Sequence, residues 1–252
     1  MESPTRLWFK RLFFPGFNLG TRARCQIRHY MLNEPDIRTL DLGCGNGFFT
    51  AMAVKRGGTA LGVSFDPAQI DRCNEFKPNL GVDPAKIEFR VMDAVSILAL
   101  EEKFDQILFL EVIEHIDHDA EVVANIARLL KPGGVLQLTT PDIRWGLWTG
   151  FLDRFARGGH VRLGYTAYRL EQLVRAAGLD VTFQIKIGSL GNFLFPLQYR
   201  LIKLFGGNST AEGIAFLLVY PIYLALKWIP ISDSMRIVQF IQARKPISAS
   251  AV

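Results

Sequence analysis

Short apolar runs alternate along this chain with segments that carry apolar residues every three or four positions. "IRTLDLG" from Ile37 predicts a strand, and Phe48 to Arg56 a helix closed by Gly57-Gly58. "TALGVSF" predicts the second strand. Pro67 to Phe76 follows as a helix whose proline sits in the first turn, where its missing N–H costs nothing. "KIEFRVMD" predicts the third strand and "FDQILFLEV" the fourth, an unbroken apolar run of the kind buried on both faces. Asp119 to Leu130 predicts a helix closed by Lys131-Pro132-Gly133-Gly134, and "VLQLTTP" the fifth strand. A helix over Tyr165 to Ala177, a sixth strand "LDVTFQIKI" and a last strand within "MRIVQFIQARKP" complete the pattern. This alternation predicts an α/β fold: a doubly wound, mainly parallel seven-stranded sheet, helices on both faces, joined by right-handed crossovers.

Two stretches break the rhythm. "DIRWGLWTGFLDRFARGGHVRLG" after the fifth strand is aromatic and basic, and predicts a loop or short helices over the sheet's carboxyl edge. The second stretch, 188–232, is an apolar helical insertion before the last strand. Its segment "GIAFLLVYPIYLALKWIP" (213–230) holds one charge, Lys227, and its unbroken apolar part is shorter than the roughly 20 residues of a membrane span. Tyr220, Tyr223, Lys227 and Trp228 suit a membrane surface. A lid over the site or a dimer face fits the same pattern. The chain thus reads as a lead-in (1–36), a core (37–187), the insertion (188–232) and a last strand with tail (233–252). The lead-in mixes Arg6, Lys10, Arg11, Arg22, Arg24 and Arg28 with Trp8 and several phenylalanines. It reads either as a second membrane-interface element or as a helix packing its aromatics with arginines in water.

With 252 residues, 49% apolar and 21% charged, a well-buried core is expected. The mean hydropathy of +0.17 is high for a soluble enzyme, and the excess sits in the insertion. Net charge is +5. That balance suits an anionic partner, but no nucleic-acid-reading module accompanies it, so nucleic acid is not expected. Cys25, Cys44 and Cys73 are odd in number and lack CxxC spacing, against a disulfide framework or a zinc site. No HExxH or compact His/Asp cluster points to a metal. The start of the chain lacks a secretory pattern, so a cytoplasmic setting is expected, with peripheral contact on the inner face of the membrane.

"TLDLGCGNGFFT" (39–50) places Gly43, Gly45 and Gly47 directly after the first strand. Ligands of doubly wound sheets bind outside the carboxyl ends of the strands. The spacing lacks the last glycine of GxGxxG, with Phe48 in its place, and lacks the GK[ST] of a phosphate loop, which disfavours nicotinamide and ATP. Asp41-x-Gly43-x-Gly45-x-Gly47 resembles the first motif of the class I S-adenosylmethionine-dependent methyltransferases. "VMDAV", "FDQILFLEVIEHI", "ARLLKPGGVLQLTTP" and "YRLEQLVRAAGLDV" resemble that family's later elements, in order. "EVIEHI" and "GVSFDPAQI" bring the chain nearest the small-molecule and lipid branch of quinone- and cyclopropane-type enzymes.

The resemblance implies a Rossmann-like methyltransferase fold, S-adenosylmethionine as cofactor and a small or lipid-like acceptor, with methylation at oxygen expected. N- or C-methylation of a lipid, or a catalytically inactive membrane-bound binding protein, are the alternatives. It places Gly43, Cys44, Gly45 and Asn46 beside the cofactor's methionine portion, with Asp41 toward the amino group and Glu111 near the same end. Asp93 would accept from the adenine amino group with Ala94 beside the ring. The family's ribose-binding acid is replaced by Ser64, followed by Phe65; Asp66 either turns back to that job or caps the next helix. Base candidates past the strand ends are His115 with Glu114, then His160, then Asp142; a histidine ordinarily titrates near neutral pH. His115 could equally order its loop. The oligomeric state is not legible.

Overall fold

The computed structural model describes residue 17 and residues 19–144, 161–207, 209–229 and 231–247. Seven strands form one sheet: β1 (Arg38–Leu42), β2 (Thr59–Ser64), β3 (Ile87–Val91), β4 (Phe104–Leu110), β5 (Leu130–Pro141), β6 (Asp180–Ile187) and β7 (Val238–Arg244). The order is β3-β2-β1-β4-β5-β7-β6, with β7 antiparallel to both neighbours and the other pairings parallel.

The helices are α1 (Leu19–Arg24), α2 (Phe48–Lys55), α3 (Pro67–Phe76), α4 (Asp119–Leu129), α5 (Ala167–Ala176), α6 (Phe195–Leu204) and α7 (Ser209–Leu226). Strand residues alternate between faces, so β4 serves two cores at once. Ile107 and Phe109 pack with Val122 and Ile126 of α4 and Leu170 of α5. Leu108 and Leu110 pack with Phe48 and Phe49 of α2 and Ile70 of α3. This is why "FDQILFLEV" has no polar face.

Two boundaries differ from the sequence reading. Lys131-Pro132-Gly133-Gly134 follows the helix, which ends at Leu129, but already belongs to β5, which starts at Leu130; Gly133 and Gly134 exchange backbone hydrogen bonds with Lys245, both 2.9 Å. Tyr165 precedes α5, with Thr166 as its cap, accepting from Arg169 N at 3.1 Å. The described part of the lead-in is built into the core. Ile27 and Met31 are buried there, Leu32 N donates to Gln106 Oε1 of β4 (2.8 Å), and Tyr30 lies between Phe183 and Phe240, 5.0 Å from each.

The insertion is helical, as the pattern predicts. It leaves at Ile187, the end of β6, and returns at Val238, the start of an antiparallel strand. It therefore sits at the carboxyl edge of the parallel strands. Its inner face packs with the lead-in: Leu19, Phe216, Val219 and Tyr223 form a small core of their own. Leu19 N donates to Gln198 Oε1 (3.2 Å), and the Arg22 guanidinium lies over the Phe216 and Tyr220 rings. Among the described residues no helix is long and apolar enough to cross a membrane.

Candidate active site

The three loop glycines have left-handed backbones, with φ of +80° (Gly43), +58° (Gly45) and +75° (Gly47). Their surroundings differ. A methyl group on Gly43 would lie 2.3 Å from Val112 Cγ2, and one on Gly47 2.7 Å from Phe89 Cζ. At Gly45 nothing lies within 4 Å. Two glycines thus admit neighbouring side chains, and the middle one opens onto free space.

Cys44 holds the turn with all its polar groups. Its N–H donates to Val63 O (3.0 Å), its carbonyl accepts from Gly47 N (2.9 Å), and its buried thiol pairs with that of Cys73. Asn46 Oδ1 accepts from Phe48 N at the start of α2 (3.2 Å). The Asp41 carboxylate is buried and accepts from the Thr50 hydroxyl (2.6 Å). Burial pushes its pKa up to about 6, against the hydrogen bonds from Thr50. Asp41 thus ties β1 to α2.

The neighbouring strand ends carry the other predicted groups. Ser64 ends β2, buried, its hydroxyl accepting from Asp66 N (3.2 Å). Phe65 is 77% exposed. Asp66 caps α3, accepting from Ala68 N (3.0 Å), which settles the choice left open for it. Asp93 follows β3, exposed, with Oδ1 accepting from Val95 N (3.0 Å); Ala94 beside it is half-buried.

Glu111 follows β4 with φ +58°, a left-handed backbone that a non-glycine residue adopts at a cost of order 1–2 kcal/mol. Its N–H donates to Thr139 O (3.0 Å), its Oε2 lies 3.5 Å from Arg24 Nη1, and its Oε1 is buried with no hydrogen bond of ordinary geometry. Burial raises its pKa, opposed by Arg24, Thr139 and His115.

Glu114 is buried and accepts from the Thr140 hydroxyl (3.3 Å). Burial and the charge of Glu111 push its carboxyl well above the usual range, favouring the neutral acid. His115 is partly exposed, its Nε2 4.0 Å from Glu114 Oε1. Glu111, Glu114 and His115 are thus brought together in the turn after β4. His160, Trp145 and Trp148 lie outside the described residues. Asp142 is a structural node: Lys186 Nζ (2.8 Å), Gln239 Nε2 (2.6 Å) and Arg144 surround its carboxylate, which removes it as a base. Sequence reasoning missed Arg24, because nothing in a segment of six arginines and lysines marks which one turns inward. Among the described residues no cluster could hold a metal ion.

The sheet order lines these groups up. Asp93, Ser64, Gly45 and Glu111 follow four adjacent strands, β3-β2-β1-β4. Strands lie about 4.8 Å apart, so the row spans roughly 14 Å. Acceptors stand at both ends and open backbone in the middle. The donor set suits an extended nucleoside joined to a cationic amino acid, and the open place at Gly45 together with the orphan Glu111 oxygen would admit it.

A family model described as a methyltransferase domain matches residues 19–184. The chain belongs to that family. Among curated proteins it is similar to the ubiquinone biosynthesis O-methyltransferase of Bartonella tribocorum, 30% identical over 115 residues, covering 45% of this chain and 44% of that protein. The enzyme of the same name from Rhizobium rhizogenes is 28% identical over 181 residues, covering 65% of this chain and 66% of that protein. The chain therefore matches less than two thirds of the length of these relatives. Among solved structures, the [4+2]-cyclase SpnF superposes with a TM-score of 0.60 at 18% identity, covering 90% of this chain and 81% of that one. The N-methyltransferase NodS from Bradyrhizobium japonicum, in complex with S-adenosyl-L-homocysteine, gives 0.56 at 15%, covering 90% and 86%. These last two speak for the fold, which is the Rossmann-like methyltransferase fold.

Proposed function

We propose that this methyltransferase-family chain transfers the methyl group of S-adenosylmethionine to an oxygen of a small, lipid-like acceptor. The observation that carries the reading is the row Asp93, Ser64, Gly45 and Glu111 along one sheet edge, open at Gly45. The bound cofactor supplies a methyl group on a positively charged sulfur, which leaves readily. The chain's own residues do the rest. Asp93 accepts from the adenine edge, and the Ser64 hydroxyl stands where the ribose lies. The Gly43–Gly47 turn lets the methionine portion lie against the backbone. Glu111, held by Arg24, offers its unpartnered oxygen at that end. Opposite charges attract more strongly where water is excluded, so a carboxylate there favours a cationic ligand.

His115 stands at the carboxyl edge beside buried Glu114 and takes the proton that an oxygen acceptor must lose. A positioned base contributes about 100- to 10,000-fold. The oxygen acceptor is favoured by the likeness to the ubiquinone-pathway relatives, whose names state O-methyl transfer. The free cysteines suit a reducing, cytoplasmic setting.

The test is calorimetric titration with S-adenosylmethionine, S-adenosylhomocysteine and NAD, followed by methyl transfer to a prenylated catechol. Both sulfur ligands should bind and NAD should not. His115→Ala should lower turnover about 100-fold or more with cofactor affinity unchanged. Absence of binding would remove the cofactor assignment. Full turnover of His115→Ala would remove the base and point to a nitrogen or carbon acceptor.

A further inference from the structure

Among the described residues, the helical layer made by α1, α6 and α7 is filled on one side only. Ala211, Ala215, Phe216, Val219 and Tyr223 of α7 are buried against the lead-in and α6. The other side of α7 is equally apolar and faces outward. Ile214, Leu217, Leu218, Ile222 and Leu224 are exposed there, Leu217 by 56% and Leu218 by 53%, and Trp228 just beyond by 79%. A helix apolar all round is normally covered all round. On α6, Leu197 and Leu204 lie seven residues apart on one face, both exposed, Leu204 by 75%, with Arg200 between them.

The charges beside this surface are of one dominant sign. From Leu190 to Ile229 the charged residues are Arg200, Lys203 and Lys227 against a single acid, Glu212. Lys227 Nζ lies 4.7 Å over the Trp228 ring, and Lys203 Nζ 4.7 Å over that of Tyr199.

We propose that the outer face of α6 and α7 docks on an anionic lipid bilayer, with α7 lying in the interface plane. Leucines of this exposure call for hydrocarbon, and the three cations call for negative charge; a bilayer with anionic headgroups supplies both. A second copy of the chain, packed through the same face, would set Arg200, Lys203 and Lys227 against themselves. Insertion across the bilayer is disfavoured for α7 by its inner face, where Phe216 and Tyr223 pack in a small core with Leu19 of the lead-in. The insertion sits at the same sheet edge as Gly45, Asp93 and Glu111, so docking brings the candidate site to the lipid surface. The proposal does not require methyl transfer.

The test uses the full chain and flotation with vesicles of phosphatidylcholine alone or mixed with phosphatidylglycerol. The wild-type chain should float with the anionic vesicles at least about tenfold more strongly than with neutral ones. The doubly substituted Leu217→Glu/Leu218→Glu chain should lose about tenfold or more on both, while its S-adenosylhomocysteine affinity and melting temperature stay unchanged. Arg200→Glu/Lys203→Glu should abolish the anionic preference, at roughly fivefold per cation. A wild-type chain that stays with the aqueous fraction overturns the proposal. A dimer that Leu217→Glu/Leu218→Glu splits, without vesicle binding, overturns it in favour of a second copy. Vesicle binding without cofactor binding would instead remove the methyl-transfer reading and leave this one standing.

Discussion

At Gly43 an added methyl would press on Val112 from 2.3 Å, whereas at Gly45 it would meet nothing within 4 Å. The two glycines look alike in the sequence and differ in what their absence would break. Gly43→Ala should lower unfolding free energy by about 1–3 kcal/mol, read from urea denaturation. Gly45→Leu carries only the left-handed strain of about 1–2 kcal/mol and keeps the fold, but should weaken S-adenosylhomocysteine binding about 100-fold, read by calorimetry. The reverse pattern would move the ligand away from Gly45. The spacing that marks the loop was legible; which glycine opens onto free space depended on Val112 and Phe89, both far away in sequence. Asp41 shows a second residue-scale effect. Its folded pKa of about 6 exceeds its ordinary value of 3.8, so the folded state holds the proton more tightly. Its contribution to stability is fully present below pH 3.8 and is lost as pH rises through 6, by about 3 kcal/mol for the gap of roughly two pH units. Asp41→Asn, which keeps an acceptor for Thr50, should therefore gain on the wild type between pH 4 and pH 7 by up to that amount in paired urea titrations. A difference independent of pH would mean that Asp41 ionises without cost.

Elements repeat the lesson on a larger scale. The strands and helices of 37–187 were legible because each carries a dominant period or, as in β4, a short apolar run of strand length. The insertion has no such period: with apolar residues on every side, nothing in α7 distinguishes its buried face from its exposed one. Tertiary contact decides, through Leu19, Arg22 and Gln198. Phe216 is fully buried in that contact. Phe216→Ala should cost about 3–5 kcal/mol locally. Hydrogen exchange should then rise in α1, α6 and α7 while amides of β1, β4 and β5 keep their protection. Equal loss throughout would show that the helical layer and the sheet unfold as one unit. For the described part of the lead-in, read either as a membrane-interface element or as a packed helix, remote contact again decides. Its polar main-chain groups bond to Gln106 and Gln137, glutamines buried in the sheet, and no local pattern announces that partnership.

Across the whole molecule the sheet order does the work that no segment can do alone. Placing β1 between β2 and β4 gathers Asp93, Ser64, the glycine loop and Glu111 from four distant stretches into one edge. The antiparallel entry of β7 puts the insertion on that same edge, so the candidate site and the proposed docking face share one side. The sequence by itself determined the α/β class, the position of the glycine loop and the acidic ends of β3 and β4. Those features are local: they follow from periodicity, turn chemistry and residue type within a few positions. Only the tertiary structure decided that Asp142 is locked by Lys186 and Gln239, that Arg24 reaches Glu111, and which face of α7 stays open. Each of these is a contact between residues remote in the chain, fixed by packing and by the need of buried polar groups for partners, and neither leaves a trace in local order.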